Sequence, residues 1–267
     1  MNTYITIYQN LKSIVTDIFS SLTLSNRTHP KGRKPTIGNI EAVALAFMAR
    51  RQNIATKKAL YEIMEPLCSY NTFVRTLNRV IGELAYIAGA IMQALGEGTH
   101  PVKHTDSTDI PVCLVKNGKV HRTMRGIAQW SKTGKGWFFG LKLHLSSDLR
   151  GRVLALRLTP GNSDDRGIFR KMNEKLRGIF VADAGYISKE LERDFFIEGE
   201  RMMFAIPRAN MRKLATAAHI ALMKTRMRVE IHFRRLKCFF GLVTSLPRSI
   251  DGYLAHYLGA ICAYLVA

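Results

Sequence analysis

The spacing of the apolar residues changes near residue 100, and this change limits the folds that the chain can adopt. From residue 136 onward, the segment GWFFGLKLHLSSD places an apolar side chain at every second position from Trp137 to Leu145, which predicts a strand with these side chains in the core. Before residue 100, apolar side chains recur every three or four residues, the spacing of one helix face. Helices are therefore predicted over residues 3–22, 37–51, 56–65 and 69–96.

The region after residue 100 mixes strands with helices. Further strands are predicted at VKHTDSTDIPVCLV, VLALRLTPG, IFVAD and MMFAI, and helices begin near Ser163 and Ser188 and cover about 217–240. Strands in a run, followed by strands that alternate with helices, indicate a mixed sheet flanked by helices, in the α/β class. We expect two parts, a helical region over 1–95 and an α/β region over 100–267.

The charge of the chain indicates a polyanionic partner. Forty Lys and Arg residues stand against twenty Asp and Glu, which gives a formal net charge of +20. A surplus of this size favours binding to nucleic acid or to an acidic membrane surface. The apolar segment 252–267 is short for a membrane span and predicts a buried helix. Double-stranded DNA is therefore the expected partner, and no membrane is expected.

The cysteines and the amino terminus indicate the compartment. The four cysteines are far apart and form no CxxC pair or Cys/His cluster, so neither a zinc site nor a disulfide framework is predicted. The first residues, MNTYITIYQNLKSIVTDIF, lack the basic leader, apolar core and cleavage site of a secretion signal. We expect a cytoplasmic protein, associated with the nucleoid of a bacterium.

Two segments of the helical region are candidates for DNA contacts. Residues 26–39, NRTHPKGRKPTIGN, form a basic loop that offers Arg33 and Lys34 to phosphates. The helix that begins after a predicted N-cap at Ser69 carries Arg75 and Arg79 four residues apart. Three helices with tight connections are compatible with a helix-turn-helix, and the alternative is plain packing or dimerisation.

Glu230 is the sequence's first candidate for catalysis. It is the only acidic residue among eleven Lys and Arg between residues 201 and 250. On a helix, Arg226, Arg234 and Lys237 lie on roughly the same stripe as Glu230. Such a carboxylate is either part of a site or a salt-bridged surface residue, with Arg234 as one possible partner.

Two aspartates lie where strands meet loops. Asp106 lies at the end of a predicted strand in HTDST, and Asp183 ends the strand IFVAD just before Ala-Gly. Side chains at strand ends face the crevice where sites are built. The alternative for each is a local turn or pair, Asp183 with the Gly185 backbone and Asp106 with Thr108 or Lys103. Asp109 competes with Asp106, but strand alternation points it to the other face.

The order Asp106, Asp183, Glu230 resembles the active site of RNase H-like nucleotidyl transferases. The spacing Arg226-x3-Glu230-x6-Lys237 resembles the carboxy-terminal signature of DDE transposases of bacterial insertion sequences. The blocks HTDSTDIPVC, FGLKLHL, TPGNSDD and ADAGY are similar to those around the first two aspartates of that family. Many relatives have Tyr three residues before the Arg, where this chain has Met223. The resemblance covers about residues 100–245.

The resemblance implies an RNase H-like catalytic domain over 100–267 and a helical DNA-binding region over 1–95. It implies that Asp106, Asp183 and Glu230 hold Mg²⁺, or Mn²⁺, in a site for two ions. Bringing two bare carboxylates to ~4 Å costs roughly 4 kcal/mol at an effective dielectric near 20, which is why such a cluster calls for cations. Magnesium prefers oxygen ligands of this kind.

The implied activity is cleavage of DNA at the ends of the element and joining of the 3′-hydroxyl to target DNA, by a homodimer or larger assembly. An RNase H-like nuclease that does not join strands and a DNA-binding regulator without catalysis are the alternatives. Phosphates are expected to contact side chains around the acids, namely Arg226, Arg234 and Lys237, with Lys142 and His144 on the polar face of their strand.

Several other residues have structural interpretations. Asp164 and Asp165 are expected to cap a helix. Trp137 and Phe139 are assigned to the core rather than to stacking on a base. His104, His144 and His232 are scattered and are not assigned as metal ligands.

Overall fold

A computed structural model describes residues 3–24, 35–205 and 216–267. The predicted DNA contacts Arg33 and Lys34 lie outside the described residues. The chain forms two compact units, one of Met1–Ile91 with Arg235–Ala267 and one of Met92–Arg234. We call them the helical unit and the sheet unit.

The helical unit buries the apolar stripes that the sequence predicts. Its first helix buries Leu11, Val15 and Phe19, and its last packs against the second and fourth. The apolar segment at the end of the chain is thus a buried helix, as predicted, and no helix in the described part of the chain is long and apolar enough to cross a membrane. The helices are α1 (Thr3–Ser21), α2 (Asn39–Arg51), α3 (Lys57–Met64), α4 (Tyr70–Arg79), α5 (Ile81–Gly96) and α10 (Ile250–Leu265).

The starts of α3 and α4 are both capped by side chains. Thr56 accepts a hydrogen bond from the Ala59 backbone N–H at 3.0 Å, and Ser69 accepts one from Thr72 at 3.3 Å, which confirms the predicted cap. The predicted helix over 69–96 is instead two helices, because the fully buried Val80 leaves helical geometry at ψ 22° between α4 and α5.

The sheet unit contains a six-stranded mixed sheet, which confirms the predicted α/β class. The strand order is β2-β3-β1-β5-β6, and β4 pairs with β3. The β1, β2 and β4 strands run antiparallel to β3, whereas β1–β5 and β5–β6 are parallel pairs. The strands are β1 (Val102–Pro111), β2 (Gln129–Thr133), β3 (Gly136–Asp148), β4 (Val153–Pro160), β5 (Gly178–Ala182) and β6 (Arg201–Ala205).

Helices α6 (Asp165–Met172) and α7 (Lys189–Phe195) pack on this sheet around an aromatic cluster. Phe169 of α6 and Phe195 of α7 have ring centroids 4.9 Å apart, and Phe180 of β5 lies 5.0 Å from Phe195. Asp164 caps α6 by accepting from the Gly167 N–H at 2.9 Å, as predicted, while Asp165 lies in its first turn.

The remaining helices correct the predicted helix over 217–240. Two helices occupy this segment, α8 (Ala217–Thr225) and α9 (Met227–Cys238), with Arg226 between them. The sequence pattern assigns residues 235–267 to the α/β part, but they belong to the helical unit. The reason is that α10 is apolar on most of its circumference and buries this surface against α2 and α4. The assignment of a separate function to each part stays a prediction.

Two strand predictions need correction. The β2 strand is absent from the sequence prediction because QWSKT contains a single apolar residue. In β3, Phe139, Leu141, Leu143 and Leu145 are buried as predicted, but Trp137 is 58% exposed. Trp137 pairs with Lys132 of β2, next to the turn that joins the two strands, and a side chain at such a turn has few neighbours to cover it.

Candidate active site

The strand pairing brings Asp106 and Asp183 together. The β1 and β5 strands are parallel neighbours, and Thr105 pairs with Ala182. Asp106 and Asp183 are the next residues after this pair, so they lie at the same level of the sheet. The parallel pairing thus places the two predicted aspartates side by side, although 77 positions separate them in the sequence.

Glu230 is linked to Asp106 through Arg226. Glu230 lies in the first turn of α9, and Arg226 immediately precedes that helix. One guanidinium nitrogen of Arg226 donates to Asp106 Oδ2 at 2.8 Å, and another donates to Glu230 Oε1 at 2.9 Å. Arg226 therefore ties the start of α9 to β1 and neutralises part of the charge of both acids.

Burial has the largest effect on the pKa of Asp106. Its side chain is 19% exposed, and burial raises its pKa to about 6. The charges of Asp183 and Glu230 raise this pKa as well, while the Ser107 backbone N–H, 2.8 Å from Oδ1, and Arg226 lower it. The charge of Asp106 thus responds to both other acids, which shows that the three carboxylates are electrostatic neighbours.

The described structure does not show the local turn or pair that the sequence offers as the alternative role of Asp183 and of Asp106. Asp183 is exposed at the start of a short 3-10 helix, and within the described residues its side chain makes no capping hydrogen bond there. Asp106 bonds Ser107 and Arg226, whereas Lys103 donates to the His100 carbonyl at 3.0 Å.

The competitor Asp109 lies on the other face of its strand. It pairs with Lys142 in the β1–β3 register, at an odd spacing from Asp106. Because side chains alternate between the faces of a strand, this spacing separates the two aspartates. Asp106 is therefore the aspartate of β1 that lies with Asp183 and Glu230.

The predicted phosphate contacts on α9 and just before it differ in their surroundings. Arg226 is only 20% exposed and pairs with Glu230 and with Asp106, and the sequence does not predict its pairing with Asp106. Arg234, the predicted alternative partner of Glu230, is exposed and makes no ion pair with it within the described residues. Lys237 is partly buried in the last turn of α9.

The predicted contacts on β3 need correction. His144 is 1% exposed and shares a hydrogen bond with Thr159 at 2.9 Å, and burial lowers its pKa to about 4. It therefore cannot reach a phosphate, because β3 is covered on both faces rather than one. Lys142 keeps 15% exposure but forms an ion pair with Asp165 at 3.0 Å.

The predicted contacts on α4 stay open to solvent. Arg75 and Arg79 are both exposed, and Arg79 donates to the Asn39 side chain at 3.0 Å. Their position is compatible with DNA contact, and the helix-turn-helix assignment remains a prediction.

Two residues near the acids are missed by the sequence reasoning. Tyr186, in the ADAGY block, is 3% exposed, and burial together with the charges of Asp165, Asp106 and Asp183 raises its pKa. The signal for Tyr186 is its place three residues after Asp183, where a tight turn returns the side chain to the core.

The second missed residue is Thr225, just before Arg226. It shares a hydrogen bond at 2.7 Å with the buried His104 of β1. This contact and the ion pair of Arg226 with Asp106 join the end of α8 and the start of α9 to the same strand. No spacing in the sequence indicates the pairing of Thr225 with His104, since 121 positions separate them.

The acids are not arranged as a finished metal centre. Within residues 3–24, 35–205 and 216–267, no three His, Cys, Asp or Glu side chains are placed to hold one ion. Arg226 lies between Asp106 and Glu230 instead, and its guanidinium is the cation that balances them.

The sheet unit is a mixed sheet flanked by helices. Asp106 lies in the middle of β1 rather than at its predicted end, Asp183 follows the end of the parallel neighbour β5, and Glu230 lies on α9. The chain belongs to the transposase DDE domain family, whose model matches residues 95–249. No curated protein sequence matches the chain significantly.

Comparison with solved structures supports the fold. The cryo-EM structure of the piggyBac transposase synaptic complex with hairpin DNA is 9% identical, with a TM-score of 0.55 over 99% of this chain and 74% of that chain. The crystal structure of the Mos1 strand transfer complex is 15% identical, with a TM-score of 0.25 over 91% of this chain and 80% of that chain. The first of these likenesses shows a shared fold.

Proposed function

We propose that this chain is the transposase of a bacterial insertion sequence and that Asp106, Asp183 and Glu230 are its catalytic acids. The observation that supports this most is the convergence of the three acids, since Asp183 and Glu230 both raise the pKa of Asp106 and Arg226 bonds two of the three. Membership of the DDE family supports the same assignment.

The three side chains fit divalent metal ions in their chemistry. They are carboxylates, the oxygen ligands that Mg²⁺ and Mn²⁺ prefer, and a cation already lies between two of them. Asp106, Asp183 and Glu230 would hold two such ions, which when bound activate the attacking oxygen and stabilise the departing one. The half-exposed Glu230 side chain has room to turn toward an ion.

The chain's own groups would position the acids for phosphodiester chemistry. Both Asp106 oxygens are held, Oδ1 by the Ser107 N–H and Oδ2 by Arg226, so the carboxylate has a fixed orientation. Arg226 would offset the charge of the acids and of the approaching phosphate. Tyr186 and His104 are both buried.

The proposed reaction has two steps at phosphorus. In the first, water attacks the phosphodiester at an end of the element, the bond to the 3′-oxygen breaks, and a 3′-hydroxyl and a 5′-phosphate form. In the second, that 3′-oxygen attacks a target phosphodiester and displaces another 3′-oxygen, which leaves as a hydroxyl. Exposed cations, among them Arg234, Arg75 and Arg79, would bind the DNA backbone as a dimer or larger assembly holds both ends.

A strand-transfer assay tests this function. The wild-type protein is incubated in Mg²⁺ with a labelled oligonucleotide that ends in the 3′-hydroxyl of the element and with a supercoiled target plasmid. We expect labelled, joined plasmid. Cut DNA without joined product would favour a nuclease of the same fold, and binding without either product would favour a regulator. Both of these outcomes contradict the proposal.

A further inference from the structure

The helical unit contains a cavity that the catalytic site does not use. Its volume is about 650 Å³, within the range of small-ligand sites, and it lies between α2, α3, α4 and α10. Every residue that lines it belongs to the helical unit. We call it the α3–α10 cavity.

The lining of the α3–α10 cavity is positively charged. Arg50, Lys57, Lys58 and Arg248 line it, and none of the described lining residues carries a carboxylate. Lys58 forms an ion pair with Glu62 at 3.3 Å, outside the cavity lining. The next question is which groups balance the positive charges of Arg50 and Lys57.

Within the described part of the chain, neither of these two cations is balanced by an anion. Arg50 donates to the Ile54 carbonyl at 2.7 Å and contacts the His256 ring at 3.2 Å, and Lys57 donates to the Asn78 amide oxygen. His256 stays neutral, because burial and the charge of Arg50 lower its pKa to about 3. These partners of Arg50 and Lys57 are thus neutral groups.

The positive charges of Arg50 and Lys57 also repel each other. Burial, and to a lesser degree the charge of Arg50, lower the pKa of Lys57 to about 8. Partly buried charges in proteins are normally paired with the opposite charge, since leaving them unpaired costs free energy. A cavity that keeps two such cations against neutral partners is prepared for an anion.

The amino termini of two helices add to the positive potential of the cavity. The first turn of α3, at Lys57 and Lys58, and the start of α10, at Ser249 and Gly252, both line the cavity. Helix amino termini carry partial positive charge, and the Thr56 and Ser249 side chains already cap these two starts. The rest of the lining includes apolar and aromatic side chains that suit a sugar or base, namely Leu60, Leu77 and Tyr70.

We infer that the α3–α10 cavity binds a phosphate of the DNA substrate together with its attached nucleoside. Arg50 and Lys57 contact the phosphate inside the cavity, and the exposed Arg248 meets the backbone at its entrance. This inference rests on the proposed function for its DNA ligand. It adds a DNA contact in the helical unit that is separate from the predicted contacts on α4.

The first arm of the test uses inorganic phosphate as the probe. Thermal unfolding of wild type, Lys57→Gln and Lys12→Gln is followed in phosphate and in chloride at equal ionic strength. Lys12 is a matched control, because its loss removes one positive charge from the same unit and its partner is Glu41 on α2. Phosphate should raise the melting temperature of wild type and Lys12→Gln more than that of Lys57→Gln. Equal shifts in all three would overturn the anion site.

The second arm measures the affinity for a labelled DNA duplex of the element's end, in EDTA and at several salt concentrations. Lys57→Gln and Arg248→Gln should each weaken binding about tenfold, the effect of one lost charge-assisted contact. The dependence of log K on log salt should fall by about one for each lost phosphate contact, with Lys12→Gln close to wild type. The exposed Arg248→Gln keeps the test valid if Lys57→Gln folds poorly.

The two arms separate the ways in which the inference could fail. Stabilisation by phosphate with unchanged DNA affinity in both variants would assign the cavity to a free phosphate or nucleotide and overturn the DNA ligand. If wild type binds DNA in EDTA and all variants bind equally, the cavity inference fails while the proposed function stands. If wild type does not bind the duplex at all, the proposed function itself fails.

Discussion

Asp106→Asn should stabilise the sheet unit in the absence of metal, and the gain should depend on pH. The folded protein raises the pKa of Asp106 from 3.8 to about 6. Since one pKa unit corresponds to about 1.4 kcal/mol, the charged carboxylate costs the fold about 3 kcal/mol. This penalty is absent below pH ~4, where both folded and unfolded states hold the proton, grows as the pH rises toward 6, and is complete above it.

Urea unfolding in EDTA at pH ~4 and pH ~7.5 measures this effect. Both tryptophans of the chain, Trp130 and Trp137, belong to the sheet unit, so their fluorescence reports the unfolding of that unit. The variant should be more stable than wild type by up to about 3 kcal/mol at the higher pH and nearly equal to it at the lower. Equal differences at the two pH values, or a variant less stable at the higher pH, would refute the reasoning.

Asp148→Asn is the matched control with the opposite sign. Asp148 is fully buried, and hydrogen bonds from Arg152 and His100 hold its pKa below the ordinary value in spite of burial. Its charge therefore stabilises the fold at neutral pH, and this contribution is lost as the pH falls through the lowered pKa. Asp148→Asn should be less stable than wild type at both pH values, because pH ~4 still lies above the lowered pKa of Asp148.

The remaining predictions concern packing. A Cβ at Gly140 would lie 2.1 Å from the Ile110 carbonyl oxygen, so Gly140→Ala should lower the free energy of unfolding by about 2–3 kcal/mol. A Cβ at Gly82 on α5 would meet no atom of the described residues within 4 Å, so Gly82→Ala should gain roughly 0.5–1 kcal/mol; circular dichroism melts that rank the two the other way would contradict this. Trp137→Ser should change the free energy of unfolding by less than about 0.5 kcal/mol, because the side chain is 58% exposed. A loss of several kcal/mol would contradict this exposure and indicate that Trp137 is a core residue.

The sequence predicts those parts of the fold that depend on local patterns. The period of two locates β3, and Ser69 and Asp164 are caps because a short polar side chain precedes a helical run. The breaks at Val80 and Arg226 are not predicted, since both depend on packing against other elements. The burial of His144 is not predicted for the same reason. The sequence of a strand does not show whether other elements cover one of its faces or both.

The candidate site shows the same division. The register of β1 and β5 places Asp106 beside Asp183, as the resemblance implies. The role of Arg226 could not be predicted, because its pairing with Asp106 spans 120 positions and needs the start of α9 to lie against β1. The spacing of residues along a helix predicts only that Arg226 lies next to Glu230.

The most direct test of the active site is cleavage of DNA that carries the element's ends, with wild type, Asp183→Asn and Asp109→Asn compared in Mg²⁺ and in EDTA. Asp109 is the matched control, since it is an aspartate on β1 that faces away from Asp106. We expect wild type and Asp109→Asn to release a 3′-hydroxyl in Mg²⁺ only, and Asp183→Asn to be at least about a hundredfold slower. Equal cleavage by Asp183→Asn, or cleavage that survives EDTA, would contradict the assignment.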